Sequence, residues 1–172
     1  MATAVYPGSF NPPTVAHLAI SKAALHQREI DTVVWSVSRV ALGKEKVSTP
    51  TFEHRIAVLE EVADQHKWLQ IQVTTAQLLA DIAVGYDLLI MGADKWHQIQ
   101  DPIFYNDDPG SRDLALAELP ELAIVPREPF EAPSAQELKL PENMDSISSS
   151  KAREGSTSLM LPPAQNFDQQ TG

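Results

Sequence analysis

The chain of 172 residues contains no cysteine. A disulfide framework and a cysteine-ligated metal site are therefore excluded. No apolar run approaches the roughly 20 residues that a helix needs to cross a bilayer. The first residues also lack the basic segment and long apolar core of a secretory signal. We therefore expect a cytoplasmic protein with no membrane partner.

Basic residues are also scarce, because 13 Lys and Arg face 23 Asp and Glu and leave a net charge of −10. Proteins whose main partner is nucleic acid usually present a basic surface, so no nucleic-acid partner is expected. A small anionic substrate stays compatible, since a few well-placed cations can dominate a local site. The length fits one domain with a sizeable core. We expect that domain over residues 1–155 and a weakly ordered tail, rich in Ser, Pro and Gln, over 156–172.

Short β-branched or apolar runs alternate with helical segments along the chain. The pattern predicts strands over 2–6, 32–37, 68–73, 87–91, 122–125 and 144–147. It predicts helices over 15–28, after Pro50 with Phe52, Ile56, Leu59 and Ala63 on one face, over 74–84 with Gly85 as its end, and over 112–119, with a loop over 101–110. Such alternation is typical of βαβ units and a parallel sheet, an α/β fold with helices on both faces.

The loops that carry chemical groups all follow predicted strands, at 7–14, 38–46, 92–96, 126–127 and 148–153. Ligands in open parallel sheets bind beyond the carboxyl ends of the strands, so these loops converge on one edge. Phosphoryl and nucleotidyl transfer need in-line positioning and cations for the developing charge. A set of glycine, hydroxyl, imidazole and basic groups at one edge suits that chemistry.

The first of these loops reads Gly8-Ser9-Phe10-Asn11-Pro12-Pro13-Thr14-Val15-Ala16-His17-Leu18. It places a His in the first turn of a predicted helix, where unpaired N–H groups and a partial positive charge favour phosphate. Gly8 permits close backbone approach, Ser9 and Phe10 line the loop, and His17 can donate to a phosphate oxygen. Thr14 can cap the helix or contact the phosphate, and the sequence favours neither role over the other.

The last loop reads Ile147-Ser148-Ser149-Ser150-Lys151-Ala152-Arg153. Its hydroxyls and backbone can cradle a triphosphate, and Arg153 adds a guanidinium suited to phosphate. The two loops resemble the first and second signatures of the nucleotidyltransferase superfamily, whose second form is Ile-Ser-Ser-Thr/Ser-x-x-Arg. The resemblance covers about residues 1–155 and implies a Rossmann-like sheet of the nucleotidyltransferase type.

Gly92-Ala93-Asp94, after the most apolar strand, resembles a third signature found in the pyridine-nucleotide branch of that superfamily. There the Asp holds the nucleotide and a Trp helps to form the nicotinyl pocket, which makes Trp96 the candidate here. A plain N-cap for Asp94 and a plain core position for Trp96 are the alternatives. Lys44, Lys46 and Arg127 are assigned to the substrate, with at least one of the two lysines expected to be solvated.

The resemblance is greatest to nicotinate or nicotinamide mononucleotide adenylyltransferase, and Thr14 in place of a first His supports that branch. It implies that a mononucleotide phosphate attacks the α-phosphorus of ATP directly, with Mg²⁺ on the β- and γ-phosphates. His17, Lys44 and Arg153 are then the catalytic residues, while Gly8 to Phe10, Thr14, Gly92, Asp94 and Ile147 to Ser150 hold ATP. No site for a metal held by the protein alone is assigned.

Three other interpretations stay open. Ser148 to Ser150 are also typical of phosphopantetheine adenylyltransferase, so another transferase of the superfamily is the first. Gly155 follows Arg153 closely and shortens the expected helix, which motivates a nucleotide-binding paralogue without catalysis. The third is an interaction module with chance motifs. The choice of acceptor and the formation of a homo-oligomer are left open.

Overall fold

The computed structural model describes residues 2–8, 10, 13–38, 52–76, 78–126 and 129–140. The predicted strand over 144–147 and the predicted tail over 156–172 lie outside these ranges, so both stay predictions. No helix within the described ranges is long and apolar enough to cross a membrane.

Strands and helices alternate along the described chain, as the sequence predicts. The elements are β1 Thr3–Pro7, α1 Val15–Gln27, β2 Thr32–Ser38, α2 Phe52–Asp64, β3 Leu69–Thr74, α3 Leu79–Ile82, β4 Leu88–Gly92, α4 Ala93–Gln98, a 3-10 helix Pro102–Tyr105, α5 Pro109–Ala117 and β5 Glu121–Val125. The strands β1, β2, β4 and β5 are almost continuously apolar, which is typical of parallel strands covered on both faces.

The sheet has the order β3-β2-β1-β4-β5, and all neighbouring strands are parallel. Alternate residues feed two apolar clusters on opposite faces. The cluster around Trp35 packs against α1 and α2, and the cluster around Leu89 packs against residues of α3, α4 and α5. The predicted α/β fold, with a Rossmann-like parallel sheet and helices on both faces, is confirmed.

The strand order reverses between β1 and β4, which makes this the topological switch point of the sheet. The ladder between β1 and β4 contains only two positions and ends at Val5–Leu89. By contrast, β1 stays paired with β2 as far as Pro7–Ser36, and β4 stays paired with β5 as far as Gly92–Val125. Because ligands of such sheets bind beyond the carboxyl ends at the switch point, the fold places a crevice between the ends of β1 and β4.

The segment after β5 returns to the outer edge of the sheet. The Ile124 N–H donates to the Gln136 carbonyl, and the Leu138 N–H donates to the Ile124 carbonyl, both at 2.8 Å. The Gln27 side chain of α1 then donates to the Lys139 carbonyl (2.8 Å) and accepts from the Lys139 N–H (3.1 Å). These bonds fasten the last described residues to α1.

Two local predictions are wrong. The helix predicted over 74–84 is confined to Leu79–Ile82, since Thr74 completes β3 and Leu78 is still extended. The loop predicted over 101–110 contains the 3-10 helix and the start of α5, because Asp101 and Asp108 cap them. Their carboxylates accept from the N–H groups of residues 103 and 110, both at 3.0 Å, and Pro follows each Asp at the first helical position.

Candidate active site

The loop after β1 is shaped by Gly8 and Phe10. The Gly8 N–H donates to the Ser36 carbonyl at 3.1 Å and so prolongs the pairing of β1 with β2. A Cβ at Gly8 would lie 3.1 Å from the Phe10 ring, and Phe10 itself adopts a φ of 47°. The Phe10 ring is only 2% exposed. It therefore supports the loop from within the core, and contact of Phe10 with a nucleotide stays a prediction.

Helix α1 begins with a contact between Thr14 and His17. Thr14 is the N-cap residue, so the predicted capping role is present, and its side chain is fully buried. The Thr14 N–H donates to His17 Nδ1 at 2.8 Å, with Thr14 Oγ1 3.2 Å from the same nitrogen. His17 thus takes the place of the acidic residue in a capping box. Because Nδ1 accepts, the hydrogen of the neutral ring is on Nε2, which can donate to an anion.

Three aromatic rings enclose the His17 imidazole. Phe10, Tyr6 and Trp35 have ring centroids 4.8, 6.0 and 6.0 Å from it, each inclined at 66°. Phe10 and Trp35 stack in parallel with centroids 4.6 Å apart. Edge-to-face contacts of this kind fix the plane of a ring. The imidazole is therefore held both by its Nδ1 hydrogen bond and by the rings around it.

The other wall of the crevice is built on β4 and α4. Gly92 ends β4 and is the N-cap of α4, so the alternative in which Asp94 caps this helix is wrong. Asp94 instead lies exposed in the first turn, where the helix terminus favours a carboxylate. Trp96 is half-buried against the Leu89 cluster, which agrees with the core alternative. Its predicted contact with a nicotinyl ring stays a prediction.

Gly8, Phe10, Thr14 and His17 follow β1, whereas Gly92, Asp94 and Trp96 lie at the end of β4 and in α4. The fold thus brings these residues to the same edge of the sheet, at the switch point. The remaining predicted site residues lie outside the described ranges, and their roles stay predictions: Ser9, Lys44, Lys46, Arg127, Ile147, Ser148, Ser149, Ser150 and Arg153. Within the described ranges, no three His, Asp or Glu side chains lie close enough to hold a metal ion.

Sequence reasoning missed two residues behind His17. Ser21 and Trp35 are both fully buried, and the Trp35 indole N–H donates to Ser21 Oγ at 2.9 Å. The available signals were a serine among the apolar residues of α1 and a large indole in a strand of small β-branched residues. Neither signal indicates a contact between them, because they lie 14 positions apart on different elements.

The chain is similar to known proteins over most of its length. A family model described as Cytidylyltransferase-like matches residues 5–155. A protein of Agrobacterium fabrum named "Probable nicotinate-nucleotide adenylyltransferase" is 29% identical over 136 residues, covering 64% of this chain and 71% of that protein. A protein of Salinibacter ruber with the same name is 26% identical over 117 residues, covering 57% of this chain and 60% of its own length.

Solved structures show the same fold. The nicotinic acid mononucleotide adenylyltransferase of Plasmodium falciparum, complexed with APC, superposes with a TM-score of 0.67 at 14% identity, over 98% of this chain and 94% of that one. The same enzyme complexed with NaAD gives a TM-score of 0.61 at 14% identity, over 98% and 95% of the two chains. Because the family model spans both signature segments and most of the chain, this protein belongs to the cytidylyltransferase-like family.

Proposed function

We propose that the protein is an adenylyltransferase that moves AMP from ATP to nicotinate or nicotinamide mononucleotide, a step of NAD biosynthesis. The observation that carries the proposal is His17, held through Nδ1 at the start of α1 beside the switch point of the sheet. The names of the relatives and of the structural neighbours support a pyridine mononucleotide as acceptor, and nicotinate mononucleotide first.

In the proposed reaction a phosphate oxygen of the mononucleotide attacks the α-phosphorus of ATP. A new P–O bond forms to the α-phosphorus as the bond to the oxygen bridging the α- and β-phosphorus breaks. Pyrophosphate leaves with the electron pair of that bond, and no covalent intermediate with the protein is formed. Such transfers depend on in-line positioning and on donors aimed at the charge that develops.

His17 supplies one of these donors. With Nδ1 engaged by the Thr14 N–H, the neutral imidazole presents Nε2–H to a phosphate oxygen. The terminus of α1 adds backbone N–H groups and a partial positive charge on the same side. We assign Lys44 and Arg153 to the remaining charge, and Gly8, Ser9, Thr14 and Ser148 to Ser150 to the triphosphate.

ATP enters as its magnesium complex in this proposal. Magnesium is usually held by one or two carboxylates together with substrate phosphates, and it neutralises the charge on the β- and γ-phosphates. We assign Asp94, which is exposed in the first turn of α4, to the nucleotide. We assign Trp96, Lys46 and Arg127 to the mononucleotide, and a cytoplasmic location without a nucleic-acid partner belongs to the same proposal.

Pyrophosphate release from magnesium-ATP tests the proposal across three acceptors: nicotinate mononucleotide, nicotinamide mononucleotide and phosphopantetheine. ATP without acceptor is the blank, and a thermal melt with ATP is run beside it. We expect turnover with a pyridine mononucleotide only, and stabilisation by about 2.7 kcal/mol at 100 times the dissociation constant of ATP.

Each alternative gives a different result. Turnover with phosphopantetheine alone would assign the chain to another transferase of the family. Stabilisation by ATP with no pyrophosphate from any acceptor would indicate a binding paralogue. The absence of both signals would indicate an interaction module.

A further inference from the structure

A chain of two hydrogen bonds runs through the core behind His17. The Trp35 indole N–H donates to Ser21 Oγ at 2.9 Å, and Ser21 Oγ donates to the His17 carbonyl oxygen at 2.8 Å. Ser21 and Trp35 are both 0% exposed. The Ser21 hydroxyl thus acts as acceptor and donor at once, and it ties the first turn of α1 to β2.

Trp35 also reaches the side chain of His17. Its ring stacks on Phe10 at 4.6 Å with an interplanar angle of 7°, and Phe10 meets the imidazole edge-on at 4.8 Å. Trp35, a fully buried side chain on β2, therefore restrains both the main chain and the ring of His17.

Packing alone does not require this arrangement. A buried hydroxyl costs free energy unless it is hydrogen-bonded, and a serine bonded to the carbonyl four residues earlier slightly destabilises its helix. Alanine would fill the same face of α1, as Ala16 and Ala24 do. What the polar pair adds is a directional restraint on one peptide carbonyl, and that carbonyl belongs to His17.

We propose that Ser21 and Trp35 are positioning residues that hold His17 in the orientation in which its Nε2–H meets the phosphate. Their effect on rate rests on the proposed function. Their effect on the imidazole itself does not, because the Thr14 N–H bond to Nδ1 fixes the tautomer whether or not a substrate turns over.

The kinetic test is a double-mutant cycle of Ser21→Ala with His17→Ala. Losing one restraining hydrogen bond should lower kcat about fivefold in the wild-type background. In the His17→Ala background Ser21→Ala should lower Tm but leave kcat unchanged, because the group it positions is gone. Trp35→Phe, which removes the indole N–H and keeps a ring against Phe10, should lower kcat by a smaller factor.

Ile20→Val is the matched control, since Ile20 is 2% exposed on the same helix and its side chain carries no polar atom. It should lower Tm without changing kcat. The same loss of kcat from Ser21→Ala in both backgrounds, or an equal loss from Ile20→Val, would overturn the positioning role.

The second readout is the imidazole ¹H–¹⁵N spectrum, in which His17 is identified among the five histidines as the signal missing from His17→Ala. The wild type and Ser21→Ala should both show the Nε2–H tautomer, because the Thr14 N–H bond to Nδ1 is present in both. In Ser21→Ala the imidazole ¹H and ¹⁵N shifts should change, because the ring is no longer held in one orientation, and Ile20→Val should show no change. An unchanged spectrum in Ser21→Ala would overturn the proposal even in an active enzyme. A changed spectrum in a protein that turns over no acceptor would uphold it and refute the proposed function.

Discussion

The two sides of the crevice are the β1 wall, with Phe10, Thr14 and His17, and the β4 wall, with Gly92, Asp94 and Trp96, and they are built in different ways. On the β1 wall, His17 is enclosed by Phe10 and Trp35, which are 2% and 0% exposed, and its Nδ1 is bonded to the backbone. On the β4 wall, α4 has six residues, of which only Ala93 is buried, and Asp94 is exposed. Transfer of a nucleotidyl group tolerates little misplacement, whereas choice of acceptor depends on a surface that can vary. We therefore expect rate to depend on the β1 wall and acceptor choice on the β4 wall.

The largest effect should come from His17→Ala. Removing one donor aimed at a developing oxyanion costs on the order of 10² to 10³ in rate, so we expect that loss in kcat for pyrophosphate release. Asp94→Ala, on the opposite wall, is the comparison and should change the KM for ATP more than kcat, because Asp94 is assigned to binding the nucleotide. Thermal melts show whether each variant is folded. A His17→Ala variant with wild-type kcat would refute the division between the two walls.

Trp96→Ala should raise the KM for the mononucleotide up to about tenfold while the KM for ATP stays constant, if the indole stacks on the acceptor. Trp68 offers a matched control because it too is a half-buried tryptophan, packed at the β3 side of the sheet. Trp68→Ala should lower Tm alone. If Trp96→Ala also lowers Tm with no change in the KM for the mononucleotide, Trp96 is a core residue and the mononucleotide binds elsewhere.

Gln27→Ala should lower the free energy of unfolding by about 1 to 2 kcal/mol, since it removes both bonds to Lys139. In a chain of this size that corresponds to a fall in Tm of roughly 2–8 °C. Gln100→Ala is the control beyond α4, because the Gln100 side chain donates to the carbonyl of Trp96, only four residues earlier. Its effect should stay within about 0.5 kcal/mol. Equal losses in the two variants would contradict the role of Gln27 in fastening residues 136–140.

Local signals in the sequence account for most of the fold. Continuous apolar or β-branched runs predict β1, β2, β4 and β5 to within one or two residues, and a parallel sheet follows from the alternation of strands with helices. The 3-10 helix and the start of α5 were also within reach. Asp101-Pro102 and Asp108-Pro109 are pairs of an N-cap and a first helical residue, although a local excess of Asp and Pro is also typical of a loop.

The site was less predictable for a physical reason. A glycine–His motif shows which residues meet at the edge, but the restraints on His17 come from side chains that only the fold brings together. Ser21 and Trp35 are 14 positions apart, and Gln27 and Lys139 are 112 positions apart. Gly8 illustrates the same limit. Its sequence context predicts close approach of a ligand, whereas in the fold a Cβ at this position would also lie tightly against the Phe10 ring, at 3.1 Å.

The smallest effect we predict is a pH dependence of stability far from both walls. Burial lowers the pKa of His66 below its ordinary 6.5, and the positive charge of Lys22 lowers it further. As the pH falls through 6.5, the unfolded chain takes up this proton before the folded one, so the contribution of His66 to stability is present above that pH and decreases below it. His66→Gln should therefore lose less Tm than the wild type between about pH 7.5 and about pH 5.5. The acidic residues are the same in both proteins, so their effect on Tm is removed when the two proteins are compared.

Since His66 packs against Trp68 and not against His17, kcat at each pH should be the same in the two proteins. A change in kcat would connect this edge of the sheet to the β1 wall and remove the distinction between a wall that sets rate and a scaffold that sets stability.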